Sequence, residues 1–254
     1  MNWKITNNKN FKIRNPILIE GLPGIGNVGK IVMDILIEKN KAEKFLSFFS
    51  YGLPNSVFVN EDNLIELPKI ELYYKKINNA DFLFLTGDVQ PVAEQDSYEF
   101  CDIIIDLLKK YQCEYIITLG GIGLNSIPEK PVVYITGNNK EFVGEFLKGL
   151  NVNPKIYGVV GPIMGVSGVL LGMAGQRKIK AVSLLAETFG HPVYLGLKGA
   201  KEILINIDKK FNFRLDLKEL EKEIKNIDDQ FKGIEPKKLS KFKPKLQSEV
   251  TYIG

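Results

Sequence analysis

The sequence predicts an α/β fold with a mainly parallel, helix-covered sheet, and three observations predict it. Short apolar runs alternate with segments of helical periodicity. The runs read as near-continuous Ile, Leu, Val and Phe, as expected of strands covered on both faces. Run after run ends in a glycine-bearing loop: Gly21 to Gly29, Gly87-Asp88, Gly120-Gly121-Ile122-Gly123, Gly161-Pro162 and Gly190-His191. In a right-handed parallel sheet these loops collect on one rim, at the carboxyl ends of the strands, where α/β proteins bind ligands.

Residues 12–20 read as the first strand after a polar lead-in, 26–39 as the first helix and 45–51 as a second strand. A turn at 52–55 leads to a hairpin of 56–60 and 64–74, joined by Glu61-Asp62-Asn63, with Pro68 marking an edge or a bulge. Residues 81–86 form a buried strand, 93–111 a helix and 115–119 another buried strand. Strand 131–136, helix 141–150, strand 156–160 and helix 167–176 follow, then strand 181–186 and helix 199–210. Leu217, Leu220, Ile224, Ile227 and Phe231 then repeat at spacings of three and four. That is a seam of about two heptads, and it suits an amphipathic helix packed on its own domain or a contact between subunits. Asp216 with Glu219 resembles a capping box ahead of it. The expected division is an α/β core over 1–212, an amphipathic helix over 213–231 and a flexible lysine-rich tail over 232–254.

With 254 residues the chain has ample length for a core, and 44% apolar and 25% charged residues are ordinary for a soluble globular protein. No apolar run approaches the roughly 20 residues of a membrane span, and the N-terminus carries no hydrophobic signal core. The chain is therefore expected to be cytoplasmic, with no membrane partner. Cys101 and Cys113 lie in or beside apolar segments and read as buried thiols. A single histidine, His191, excludes a multi-histidine zinc site. Residues 232–249 hold six lysines against two glutamates, which accounts for the whole net charge of +4. The body is neutral, and without a nucleic-acid motif the basic tail reads as a solvated arm.

The centre of the sequence is EGLPGIGNVGK, residues 20–30, between the apolar run Pro16-Ile17-Leu18-Ile19 and a helical pattern. Gly24, Gly26 and Gly29, with Asn27 among them, match the dinucleotide fingerprint G-x-G-x-x-G. The acidic residue expected about 20 positions on is missing, since the next strand ends in Ser50-Tyr51-Gly52. The stretch also approaches a P-loop, but Ile31 follows Lys30 where a Mg²⁺-binding hydroxyl belongs. A third reading leads on the residues alone: the glycines let a tight turn pack a helix on the sheet. Asp88, Gly121, Glu187 and His191 are the remaining rim candidates for a ligand. Asp88 with Glu187 suits acid–base work or Mg²⁺, or else turn capping and loop bonding. His191 suits a general base or a backbone-bonded loop residue. Ser167, in Gly165-Val166-Ser167-Gly168, lacks the spacing of a nucleophile elbow. No metal and no cofactor is expected.

Five pieces occur together in order: GLPGIGNVGK at 21–30, GDVQP at 87–91, LGGIG at 119–123, GVVGPIMGVSGVLLG at 158–172 and SLLAETFGHP at 183–192. This set resembles the archaeal proteasome assembly chaperone family, related to eukaryotic proteasome assembly chaperone two. The resemblance implies a phosphorylase-like, three-layer α/β fold, a homo-oligomer and a non-enzymatic chaperone that binds proteasome core-particle subunits. Some members end in a hydrophobic-tyrosine-any tripeptide whose carboxylate docks between proteasome subunits. Tyr252, Ile253 and Gly254 are the corresponding partner-binding candidates, although Tyr252 is third from the end and follows the polar Thr251. One extra residue displaces an extended chain's carboxylate by about 3.3 Å. The alternative is an enzyme binding a nucleotide or phosphate at the glycine-rich rim, of ATP-grasp, carboligase-like or phosphorylase-like type. The sequence shows neither a paired-lysine ATP clamp nor a metal-ligand cluster to support it.

Overall fold

The computed structural model describes residues 3–231 of the chain, with side chains described as far as residue 226. Tyr252, Ile253 and Gly254 lie outside the described residues, as does the rest of the lysine-rich segment. The strands are β1 (Trp3–Asn7), β2 (Ile17–Glu20), β3 (Glu43–Ser50), β4 (Phe58–Val59), β5 (Ile65–Glu66), β6 (Ile70–Ile77), β7 (Ala80–Gly87), β8 (Tyr115–Leu124), β9 (Val133–Gly137) and β10 (Lys180–Phe189). The helices are α1 (Val28–Asn40), α2 (Glu94–Lys110), α3 (Lys140–Phe146), α4 (Gly165–Gln176), α5 (Leu197–Phe211) and α6 (Lys218–Phe231).

Eight strands make one sheet in the order β1-β3-β6-β7-β2-β8-β10-β9, and β4 pairs with β5 as a separate hairpin. Only the four central strands, β7, β2, β8 and β10, pair in parallel with one another. Both flanks are antiparallel, so the sheet is mixed where a mainly parallel one was expected. Between β6 and β7 the reason is a short connection. Asn78 and Asn79, both at positive φ, join β6 to β7 in a two-residue turn that only antiparallel strands can use.

The central strand β2 is buried along its whole length. Its Ile17 and Ile19 face one core with α1, α3, α5 and α6, and its Leu18 faces the other with α2 and α4. The sheet is thus covered on both sides. The leading strand expected over 12–20 is shorter, and its polar lead-in contains β1, an edge strand with only Trp3 buried. The strand expected at 156–160 is absent. An isolated Tyr157–Val160 bridge around Gly158 at φ 82° takes its place. β8 runs through Gly120 to Gly123, and β10 through Glu187 to Phe189, so these residues are strand and not loop.

Leu220 on α6 is buried, and Leu217 and Ile224 pack against the same core. The Asp216 carboxylate accepts from the Lys218 N–H at 3.1 Å, while Glu219 turns to Lys39 at 2.7 Å instead of closing the capping box. Ile227 and Phe231 belong to α6, but their side chains fall outside the described residues. Leu220→Ala is expected to lower unfolding stability by roughly 2–3 kcal/mol, read from a urea midpoint. An unchanged midpoint would mean that α6 does not depend on this core.

Candidate functional site

At the β2–β8 boundary the chain's connections diverge. The crossover after β2 leads toward β3, and the chain leaving β8 leads toward β9 and β10. A crevice outside the carboxyl ends of the strands is expected at such a switch point. The structure has a cleft of about 410 Å³ there. One wall is the β2–α1 turn, with Leu22, Gly24, Ile25 and Gly29; the floor is β8 from Leu119 to Gly123; the far wall is segment 159–165.

The glycines explain how the turn sits so low. A Cβ on Gly29 would lie 2.5 Å from the Leu119 carbonyl oxygen, and one on Gly121 would lie under 3.0 Å from the Ile25 carbonyl oxygen. A Cβ on Gly21 would meet Gly29 under 3.0 Å in the same way. Turn, strand and helix therefore touch backbone to backbone, which accounts for these glycines without a phosphate. Gly26 at φ 61° and Asn27 at φ 50° turn the chain into α1. Gly24 differs, since a Cβ there would meet nothing within 4 Å.

Under the cleft lies Glu20, the last residue of β2, fully buried. Alternation along the strand turns it toward α4. Its Oε1 accepts hydrogen bonds from Ser167 Oγ and from the Leu22 N–H, each at 3.1 Å, and both of those residues line the cleft. Its Oε2 has no partner among the described residues. Burial pushes the carboxyl up to about 7, with the Ser167 and Leu22 bonds working against the shift. Gln90 braces the entrance: its side-chain amide donates to the Pro23 carbonyl and accepts from the Val166 N–H at 3.0 Å. The rim reading passed over Glu20. Its only signal was a carboxylate closing an apolar run immediately before a glycine turn.

The other candidates separate. Gly24, Gly26, Asn27 and His191 meet around a second hollow of about 310 Å³, on the far side of Ile25 from the first. The His191 ring stacks on Phe189, and its Nδ1 accepts from the Val193 N–H at 3.4 Å. Asp88 accepts from the Lys69 N–H at 3.2 Å and clamps the β6–β7 end; burial raises its pKa, partly offset by that bond. Glu187 accepts from the Val132 N–H at 2.9 Å beside β9. The two carboxylates therefore stand on opposite flanks, with β2 and β8 between them. Lys30 turns to Asp34 of its own helix at 2.7 Å. Among the described residues no Lys, Arg or His lines the cleft above Glu20, and no group of three His, Cys, Asp or Glu could hold a metal ion. No described helix is long and apolar enough to cross a membrane.

Comparison with known proteins gives a consistent result over this whole region. Residues 18–235 match the PAC2 family. The uncharacterized protein MJ1210 of Methanocaldococcus jannaschii is 30% identical over 247 residues, covering 95% of this chain and 93% of that protein. The crystal structure of Pyrococcus furiosus PbaB, described as an archaeal proteasome activator, superposes with a TM-score of 0.83 at 29% identity, covering 91% of this chain and 97% of that one. Pyrococcus furiosus PbaA, described as an archaeal homolog of proteasome-assembly chaperone, superposes at 0.76 with 26% identity, covering 91% of this chain and 90% of that one.

Proposed function

We propose, from the premise that this chain belongs to the PAC2 family, that it is a non-catalytic, homo-oligomeric proteasome assembly chaperone that binds core-particle subunits. The observation that carries this reading is the near full-length likeness to PbaB at 29% identity, a protein described by its action on the proteasome. The likeness to PbaA, described as a proteasome-assembly chaperone homolog, supports it. The rim chemistry agrees. Phosphate sites commonly add cationic side chains to backbone N–H donors, and among the described residues this cleft is lined by apolar side chains, glycine backbone, Gln90 and Ser167, with no Lys, Arg or His. Tyr252, Ile253 and Gly254 are the proposed contact, with the preceding lysines suited to an acidic partner surface.

The test is a pull-down with purified proteasome α-subunits, β-subunits and assembled core, comparing the full chain with one ending at Lys232. Free or partly assembled subunits are expected to bind the full chain, and the truncated chain is expected to lose them. Absence of binding to every proteasome species would overturn the reading. Equal binding by both chains would leave the chaperone and remove the tail contact.

A further inference from the structure

The β4–β5 hairpin is the least explained part of the surface. It extends from the end of β3, on the rim that carries the cleft, and it forms a two-stranded sheet of its own. Phe58 pairs with Glu66, and Val59 pairs with Ile65. Extending that register by one pair sets Val57 opposite Leu67. Alternation then gathers Val57, Val59, Ile65 and Leu67 on one face. All four are exposed, at 52%, 68%, 71% and 59%, and Tyr51 at the hairpin's base is 78% exposed. An isolated two-stranded hairpin is marginal in water, and an uncovered aliphatic face makes it more so. At about 200 Å² for a fully exposed large side chain, these five residues present on the order of 600 Å², the upper end of what a monomer shows.

The same face is also concave at its base. Tyr51, Leu53, Val57 and Leu67 line a hollow of about 440 Å³ between the hairpin and the end of β3. The surface thus carries both a projection, Val59 and Ile65, and a recess to receive one. Its charges have the same arrangement. Glu61 and Asp62 form the exposed tip. Lys4 of edge strand β1 stands at the base, its Nζ 5.5 Å from the centre of the Tyr51 ring.

We propose that this hairpin face is an isologous contact between two copies of the chain, each placing Val59 and Ile65 in the other's recess and its acidic tip against the other's Lys4. A two-fold contact demands a self-complementary surface, and apolar projection to recess and acid to lysine both satisfy that demand. The apolar patch with its polar rim approaches the roughly 800 Å² per partner of a standard interface. The contact names the surface of the homo-oligomer proposed above, and it stands or falls independently of proteasome binding.

Sedimentation of the full chain at micromolar concentration tests it. The wild type is expected to be dimeric or larger. Val59→Glu with Ile65→Glu is expected to raise the dissociation constant roughly 30-fold or more, with an unchanged circular dichroism spectrum. Lys4→Glu is expected to weaken association by roughly fivefold, and adding Glu61→Lys and Asp62→Lys is expected to restore it. The charge-reversal set keeps the test decisive if the glutamates disturb the hairpin. A monomeric wild type overturns the proposal, as does a hairpin variant that associates like the wild type or a Lys4→Glu loss that reversal of the tip does not repair.

Discussion

Gly121→Val is expected to lower unfolding stability by roughly 3 kcal/mol, at the upper end for overpacking. The added Cβ would overlap the Ile25 carbonyl and approach the Thr188 Cγ2 at 3.1 Å. Neither neighbour can retreat easily. Ile25 belongs to the turn that Gly29 already presses onto Leu119, and Thr188 is buried in β10. The control is Gly24→Val, four residues before Val28 opens α1 and facing open space, with an expected change within about 0.5 kcal/mol. Guanidinium midpoints for the two variants should differ accordingly. Equal midpoints would show that the turn does not rest on the strand as described.

Glu20→Gln is expected to make the protein more stable at pH 8 and less sensitive to pH. The folded carboxyl titrates near 7, against 4.5 for the free side chain. Between those values the unfolded chain has released its proton and the folded chain has kept it, so wild-type stability falls as pH rises and levels off above 7. The interval corresponds to roughly 3 kcal/mol. Glutamine keeps the shape and an acceptor for Ser167 and has no proton to lose. Subtracting the variant's stability curve from that of the wild type isolates this one group. A flat difference between pH 5 and pH 8 would refute the buried, protonated state.

The central scaffold was legible because its strands are unbroken apolar runs and its helices begin after glycine loops. α1, β7 and α2 lie within two residues of where the pattern put them, β2 ends and β8 begins where expected, but β2 is five residues shorter and β8 five residues longer. What failed to show had weak local signals. β1 buries only Trp3, so it carries no alternation. The segment 156–160 has strand-like composition, but Gly158 at positive φ turns it. A strand's direction depends on its connection, and the two-residue Asn78-Asn79 turn that makes β6 and β7 antiparallel has no counterpart among the elements expected from the sequence. The site was half legible. The glycines were recognised, and the reading that they serve packing accounts for Gly21, Gly29 and Gly121. Glu20 escaped because its partner Ser167 lies 147 residues away, and no local window contains both. Asp88 and Glu187 looked alike in sequence, yet the strand order sends them to opposite flanks.

The glycine interlock has an entropic consequence. A wall of main chain pressed against a strand has no side-chain torsions to freeze. A group entering the cleft above Glu20 beside Gly24, Gly120 and Gly121 would meet main chain already in its final shape. Ordering a rotamer-rich side chain on binding costs about 0.5–1.5 kcal/mol each time. That penalty is absent along the glycine stretch of the wall, which leaves the occupant's own lost translational and rotational freedom as the main entropic cost there.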